Sequence, residues 1–217
     1  MVIGNQIDII LKKHPFLTFK SEERYFLGNI QVDEDDIYNL KIDISKCFNK
    51  FPRVFEIDER IPRKADRHIN SDYSLCFTTA PNEEILTKTL VKDLESFFKL
   101  ILTPYLINNS YFEINKKYKF GEYNHHPIYS IYETYVDILG IKNFEQVADI
   151  LQIIASGKKF RPNEICYCGS TKKIKKCNTH ENGYRNVKKI SSDRLMEDSR
   201  KILKLREELI EMKNKSA

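Results

Sequence analysis

Hydrophobic and polar positions change their period several times along the chain, and each change marks an element. Between residues 6 and 16 the apolar side chains fall at Ile7, Ile10, Leu11 and Phe16. That is the spacing of a short amphipathic helix, which must end near His14-Pro15 because proline removes a backbone donor. The period then shortens. Residues 25–32 read as a strand, and Asp33-Glu34-Asp35-Asp36 is a turn signal. Leu40-Lys41-Ile42-Asp43-Ile44 alternates apolar with charged, as a half-buried strand does, and residues 53–57 form a third strand after the Pro52 break. This spacing predicts an antiparallel meander. Past Pro81 the repeat becomes helical. Ile85, Leu86, Leu90, Leu94, Phe97, Phe98, Ile101 and Leu102 recur at steps of three and four, predicting one helix that stops near Pro104. Residues 128–139 and 144–154 predict two more helices, joined at Gly140. Residues 192–213 predict a strongly charged helix with Ile202, Leu205, Leu209 and Met212 on one stripe. Two heptads are too few for a coiled coil, so this helix is expected to lie on its own domain. Strands followed by helices make the fold class α+β, and no internal repeat is visible.

Composition narrows the class. The 217 residues (25.7 kDa) are 41% hydrophobic and 12% aromatic, which supports a packed core and argues against disorder. With seven glycines and seven prolines, collagen-like and low-complexity readings fail. Apolar runs such as Ile9-Ile10-Leu11 and Leu100-Ile101-Leu102 fall far short of the roughly 18 residues a spanning helix needs. The first six residues lack the basic flank and apolar run of a secretory signal. The expectation is a soluble, cytoplasmic protein with no membrane partner.

Charge divides the chain. The total is +5, but between residues 158 and 189 ten lysines and arginines are opposed only by Glu164 and Glu181, a net of +8 that leaves −3 elsewhere. A basic module joined to a slightly acidic body gives three expected parts: 1–156, 157–190 and a terminal helix over 191–217. Five cysteines, an odd number without an export signal, point to reduced thiols.

Cys76 stands alone in a polar loop, Arg67-His68-Ile69-Asn70-Ser71-Asp72-Tyr73-Ser74-Leu75-Cys76-Phe77. From its neighbours alone it is either a small buried hydrophobe or a nucleophile. The second use needs hydrogen-bond donors for an oxyanion, and His68 and Asn70 are the nearby groups able to serve. Residues 69–77 resemble the active-site stretch of ubiquitin-conjugating enzymes, Ile-x-x-(Asn/Asp)-Gly-Ser-Ile-Cys-Leu, without a gap. Phe48-Asn49-Lys50-Phe51-Pro52-Arg53-Val54 is similar to that family's Tyr-Pro-x-x-Pro-Pro-x-Val segment, and the resemblance covers roughly residues 5–155. Two positions depart from it. Asp66-Arg67-His68 replaces the family's His-Pro-Asn, so His68 stands where the oxyanion-holding asparagine is expected, and Tyr73 replaces a glycine of the turn. Such departures resemble the divergent bacterial relatives encoded beside anti-phage cyclic-oligonucleotide signalling genes.

The resemblance implies a ubiquitin-conjugating-like fold: an N-terminal helix, an antiparallel meander and C-terminal helices. It also implies a reaction, in which Cys76 takes the C-terminus of a partner protein as a thioester and passes it to an amine. His68 and Asn70 would hold the oxyanion, and Asp72, Glu83 or Glu84 would orient the amine. The implied partner is a cyclic-oligonucleotide synthase, with a ubiquitin-like protein and a separate activating enzyme as further candidates, because the chain carries no glycine-rich phosphate loop. The rival reading is an inactive adaptor of the same fold that binds a protein or nucleic acid through its basic module.

Within that module lie Cys166, Cys168, Cys177 and His180, a donor set suited to tetrahedral zinc. Cys166 and Cys168 flank a tight turn at Gly169, and metal ligation can fold a segment too small for a core. The stretch resembles the SEC-C zinc motif, Cys-x-Cys-Gly-Ser-x-Lys-Lys-x-Lys-Lys-Cys followed by Cys or His. Here Asn178 occupies that last place and His180 comes two residues later. The module has few aromatics to interleave with its lysines, so an acidic protein surface is favoured over nucleic acid. His125-His126 reads as a loop cap rather than a ligand pair.

Overall fold

The computed structural model describes residues 3–46, 50–120, 127–177 and 183–215. The first amphipathic repeat is α1 (Ile3–Lys13), closed by the His14 N–H on the Ile10 carbonyl (2.9 Å) just before Pro15. Four strands follow, β1 (Leu17–Lys20), β2 (Tyr25–Asp33), β3 (Asp36–Asp43) and β4 (Arg53–Glu56), paired antiparallel in sequence order. The meander is thus present, with β2 and β3 joined across Glu34-Asp35. Alternation buries one face: Phe26 and Ile30 of β2, Tyr38, Leu40 and Ile42 of β3, and Val54 of β4. β1 has no counterpart in the sequence pattern. It is four residues long, and it docks because Gly28 (φ +136°) lets the Phe16 carbonyl approach β2 closely enough to accept the Asn29 N–H at 3.2 Å.

The single helix expected over 85–102 is instead several segments. α2 (Ala80–Thr89) ends where the N–H groups of Leu90 and Val91 both turn to the Leu86 carbonyl. Asp93 then takes extended backbone and caps α3 (Leu94–Phe97) in a reciprocal capping box with Ser96. Nor does Pro104 stop the chain. A π-turn over Phe98–Leu102 precedes it, in which the Thr103 N–H bonds the Phe98 carbonyl five residues back, and α4 (Thr103–Asn115) starts with the proline in its first turn, where no N–H is needed. Phe97, Phe98, Leu102 and Leu106 from these segments fill the sheet's buried face. Each such ring or branched side chain contributes about 2 kcal/mol by leaving water.

Helices α5 (Pro127–Leu139) and α6 (Phe144–Ala155) match the expected spans, with Gly140 at φ +66° between them and Asn143 capping α6 through the Gln146 N–H (2.8 Å). A short α7 (Gly183–Val187) precedes α8 (Ser192–Lys215). α8 lies on α6 and α5 and buries Leu195, Ile202 and Leu205 in a core with Tyr135, Leu139, Val147 and Leu151. Its last two stripe positions, Leu209 and Met212, are exposed.

By compactness the chain divides into two units, Met1–Thr78 with Leu86–His125, and Thr79–Ile85 with His126–Ala217. The boundary expected at 156 therefore falls inside the second unit, because the apolar faces of α5 and α6 are covered by α8. Among the described residues no helix is long and apolar enough to cross a membrane.

Candidate functional site

The loop around Cys76 is a miniature hairpin in the first unit. After a 3₁₀ turn (Ala65–Arg67), His68 adopts left-handed backbone (φ 54°, ψ 47°) and the chain reverses. Ile69 bridges Leu75, the Asn70 N–H donates to the Ser74 carbonyl (2.8 Å), and the Cys76 N–H donates to the His68 carbonyl (2.7 Å). The turn itself uses Tyr73 at φ 65°, so the left-handed position that a glycine would occupy freely is held by an exposed tyrosine beneath the Arg63 guanidinium (4.6 Å). Leu75 is buried, and its N–H bonds the Val54 carbonyl of β4 (2.8 Å), which anchors the hairpin to the sheet.

Cys76 is half-buried, and its Sγ lies 4.0 Å from the Thr78 carbonyl oxygen. The register pairs it with His68. Asn70 directs its amide inward, donating to Ser74 Oγ (3.0 Å) and facing the Leu75 carbonyl (3.4 Å). Asp72 accepts from the Ser74 N–H (3.0 Å) and hydroxyl (2.6 Å) and pairs with Arg53. The Ser74 bonds first, then the Arg53 charge, hold its carboxyl below the usual range. Glu84 accepts from the Ser191 N–H (2.7 Å) and Arg194 (3.5 Å) in the second unit.

Four residues that the sequence reading passed over support the loop from below. The Tyr105 hydroxyl donates to the His68 carbonyl (2.9 Å), the same oxygen that receives the Cys76 N–H, and lies 3.3 Å from the Arg67 carbonyl. Burial, with smaller contributions from Tyr118 and Cys76, pushes this phenol well above its ordinary value, so it stays a neutral donor. The Tyr118 hydroxyl donates to the Asp66 carbonyl (3.1 Å), and its ring sits 5.2 Å from the His68 ring. Arg67 reaches Tyr118 Oη (3.3 Å) and Asn109 Oδ1 (2.9 Å) and lies over the Phe112 ring (4.1 Å). The usable signal was Tyr105 and Asn109, four apart on a helix that was expected to have ended at Pro104.

The cysteine cluster is local. Residues 162–175 fold back on themselves through Cys166 N–H to Lys172 O (2.9 Å), Ile174 N–H to Glu164 O (3.0 Å) and Lys175 N–H to Pro162 O (3.0 Å). Gly169, at φ +79°, turns the chain so that its N–H meets the Cys166 carbonyl, and a 3₁₀ turn (Ile174–Lys176) delivers Cys177. The sulfurs of Cys166, Cys168 and Cys177 all lie within 4.8 Å of one another, with 3.6 Å between those of Cys168 and Cys177. Thiolates around one tetrahedral zinc at about 2.3 Å stand about 3.8 Å apart, so the spacing fits a single soft metal ion. The three cysteines can hold one. Ser170 Oγ adds a hydroxyl 3.2 Å from the Cys168 sulfur and 3.5 Å from that of Cys177. Burial, then the neighbouring thiols, push Cys166 up to about 12. The expected fourth ligand His180, with Asn178, the pair His125-His126, and Cys47 to Asn49, lies outside the described residues.

Around this cluster Lys158, Lys159, Arg161, Lys172, Lys173, Lys175 and Lys176 are exposed, and among the described residues none forms an ion pair. In comparisons with known proteins, no family model, no curated protein and no solved structure matches this chain.

Proposed function

We propose that the chain is a cysteine-dependent acyl transferase with a ubiquitin-conjugating-like fold, and that Cys76 carries the acyl group. The carrying observation is the Cys76 N–H bonded to the His68 carbonyl at 2.7 Å, which fixes a half-buried thiol opposite an imidazole-bearing residue at the mouth of a closed hairpin. In the forward step the Cys76 thiolate attacks the C-terminal carbonyl of a partner protein. The carbonyl electrons move to oxygen, an N–H of the His68 ring stabilises that oxyanion, and the thiolate of a separate activating enzyme, from which the C-terminus arrives as a thioester, departs to leave the thioester on Cys76. An amine that has lost its proton then attacks the thioester carbonyl, and the Cys76 sulfur leaves as thiolate. A well-placed oxyanion donor contributes about 3 kcal/mol. Asn70, its amide turned toward Ser74 and Leu75, serves this reading by keeping the hairpin closed.

The partner in this reading is a cyclic-oligonucleotide synthase, within bacterial anti-phage defence. Zinc on Cys166, Cys168 and Cys177, with His180 completing the set, would hold the basic module folded, and a site closed by four protein ligands has no position for activating water. Incubating the two proteins with an activating enzyme and ATP, and resolving them on a non-reducing gel, tests the reading. A reductant-sensitive adduct that disappears in Cys76→Ala is expected, and an adduct persisting in that variant overturns it. The exposed cations around the cysteine cluster favour a second reading, an adaptor that docks on an acidic protein surface through the module. Mild alkylation at neutral pH separates the two: a Cys76 that reacts supports transfer, and a fully protected one supports the adaptor.

A further inference from the structure

Holding a histidine by its carbonyl leaves its imidazole two side-chain dihedrals, the second of them soft. A donor serves an oxyanion only within about 2.7–3.1 Å of the place that oxygen will take, so the aim of the ring matters as much as its presence. In this structure the His68 ring meets the Tyr118 ring. Their centroids are 5.2 Å apart and their planes 56° apart, a tilted contact inside the favourable range for aromatic pairs.

Tyr118 is itself held at both ends. Its hydroxyl donates to the Asp66 carbonyl (3.1 Å) and accepts from Arg67 Nε (3.3 Å). Its ring packs on Phe112 of α4, with 4.6 Å between centroids. Lys116 ends α4 in left-handed backbone (φ 56°, ψ 23°), its N–H on the Phe112 carbonyl at 2.8 Å, and the chain reverses there. The N–H groups of Lys119 and Phe120 then both donate to Asn108 Oδ1 (2.7 and 3.1 Å), which ties the returning segment to the helix. Arg67 lies over the Phe112 ring (4.1 Å) while it bonds the Tyr118 hydroxyl, so one buried guanidinium clamps both rings. A line of direct contacts therefore runs from α4 through Phe112 and Tyr118 to the imidazole, all within the first unit.

We propose that Tyr118 is a positioning residue whose ring fixes the orientation of the His68 imidazole for the oxyanion, without touching substrate. This rests on His68 being the oxyanion donor of the proposed transfer and adds what aims it.

The test uses the full chain and two reactions of the same sulfur, each followed by peptide mass spectrometry. In the first, Cys76 attacks the thioester of a short glycine-ending peptide with mercaptoethanesulfonate, an oxyanion forms and collapses, and the small thiolate leaves. In the second, Cys76 displaces iodide from iodoacetamide at a saturated carbon, and no oxyanion forms. Losing an oxyanion donor costs about a hundredfold or more, and misplacing one costs a large part of that. Tyr118→Leu is therefore expected to slow acylation about tenfold or more and to leave alkylation within about twofold of the parent. Tyr118→Phe keeps the ring and should acylate within about threefold of the parent. Because Tyr118 acts through His68, Tyr118→Leu should add nothing to the loss in His68→Ala. Proton NMR of the His68 ring gives an independent reading, and its resonances should move in Tyr118→Leu as the ring current is removed. Parent-like acylation in Tyr118→Leu overturns the proposal, as does an equal loss in both reactions, an undiminished loss in the His68→Ala background, or unmoved His68 resonances. If Tyr118→Leu does not fold, a Phe112→Leu variant with the parent ratio of acylation to alkylation overturns it. A parent that alkylates but takes no acyl group, with His68 resonances that move in Tyr118→Leu, defeats the transfer reading alone. Acylation that depends on His68 but not on Tyr118 defeats this inference alone.

Discussion

Acidification should strip metal from the cysteine cluster far more steeply than from a carboxylate or imidazole site. A metal binds thiolates, so each cysteine ligand must give up a proton as the ion enters. An ordinary thiol titrates near 8.5, and burial beside two other sulfurs pushes Cys166 up to about 12. Each of the three thiols gives up its proton as zinc enters, so occupation should release about three protons. Apparent affinity then falls by up to about a thousandfold for each pH unit below neutrality, or about 4 kcal/mol at 1.4 kcal/mol per decade. An imidazole as fourth ligand adds a further proton only below about pH 6.5. The measurement is competition for zinc against a chromophoric chelator at several pH values, corrected for the chelator's own protonation, with proton release counted by calorimetry in buffers of different ionisation enthalpy. Cys177→Ser should lower both the affinity and the proton count. A slope of one decade or less per pH unit, or one unchanged by Cys177→Ser, would show that the three sulfurs do not share an ion.

Two further outcomes concern the scaffold. A Cβ at Gly28 would fall on the Phe16 carbonyl oxygen, and the residue sits at φ +136°, so Gly28→Ala should detach β1 and cost about 2 kcal/mol or more in denaturant unfolding; a loss below about half a kcal/mol would contradict the close approach. Asp198 in α8 is fully buried, its Oδ2 accepts the Tyr135 hydroxyl (2.9 Å), and its Oδ1 has no hydrogen-bond partner among the described residues. Burial raises its folded-state value above the ordinary 3.8, so the folded protein holds this proton more tightly than the unfolded chain. The stability it contributes is present below about pH 3.8 and is lost as pH rises through the folded-state value. Asp198→Asn should therefore melt a few degrees higher than the parent at neutral pH, with the gap closing in acid; a lower neutral-pH midpoint refutes this.

Periodicity was most legible where one face of an element alone meets the core. β2, β4, α5, α6 and α8 lie within two or three residues of their expected limits, since each carries an uninterrupted stripe. The region 85–115 was not legible because its apolar stripe runs continuously through a break that is set by a polar residue. Asp93 caps a new helix, and the stripe gives no sign of it. Pro104 misled for the complementary reason: a π-turn upstream removes the need for the donor that proline lacks. That one error hid α4, and with it Tyr105 and Asn109, the support of the Cys76 loop. The cysteine cluster was legible because its ligands lie within twelve residues and their approach is set by a glycine turn. That α8 lies against its own chain was expected, but its place on α5 and α6 was not legible from its stripe, which outlasts the surface it covers and leaves Leu209 and Met212 exposed.

Sequence proximity alone made His68, Asn70 and Cys76 look equivalent as members of one site, and the hairpin register is what separates them. Ile69 pairs with Leu75, so the flanking pairs are His68 with Cys76 and Asn70 with Ser74, all four on the face opposite the buried Leu75. The Asn70 amide meets its cross-strand neighbour Ser74, and Asp72 secures Ser74 from the turn. The polar groups at the tip thus bond one another and hold the two short arms together. The pair at the mouth is held through its backbone, the His68 carbonyl accepting from both Cys76 and Tyr105. Asn70, with both amide hydrogens turned into the loop, cannot serve an oxyanion without opening the hairpin that positions the thiol.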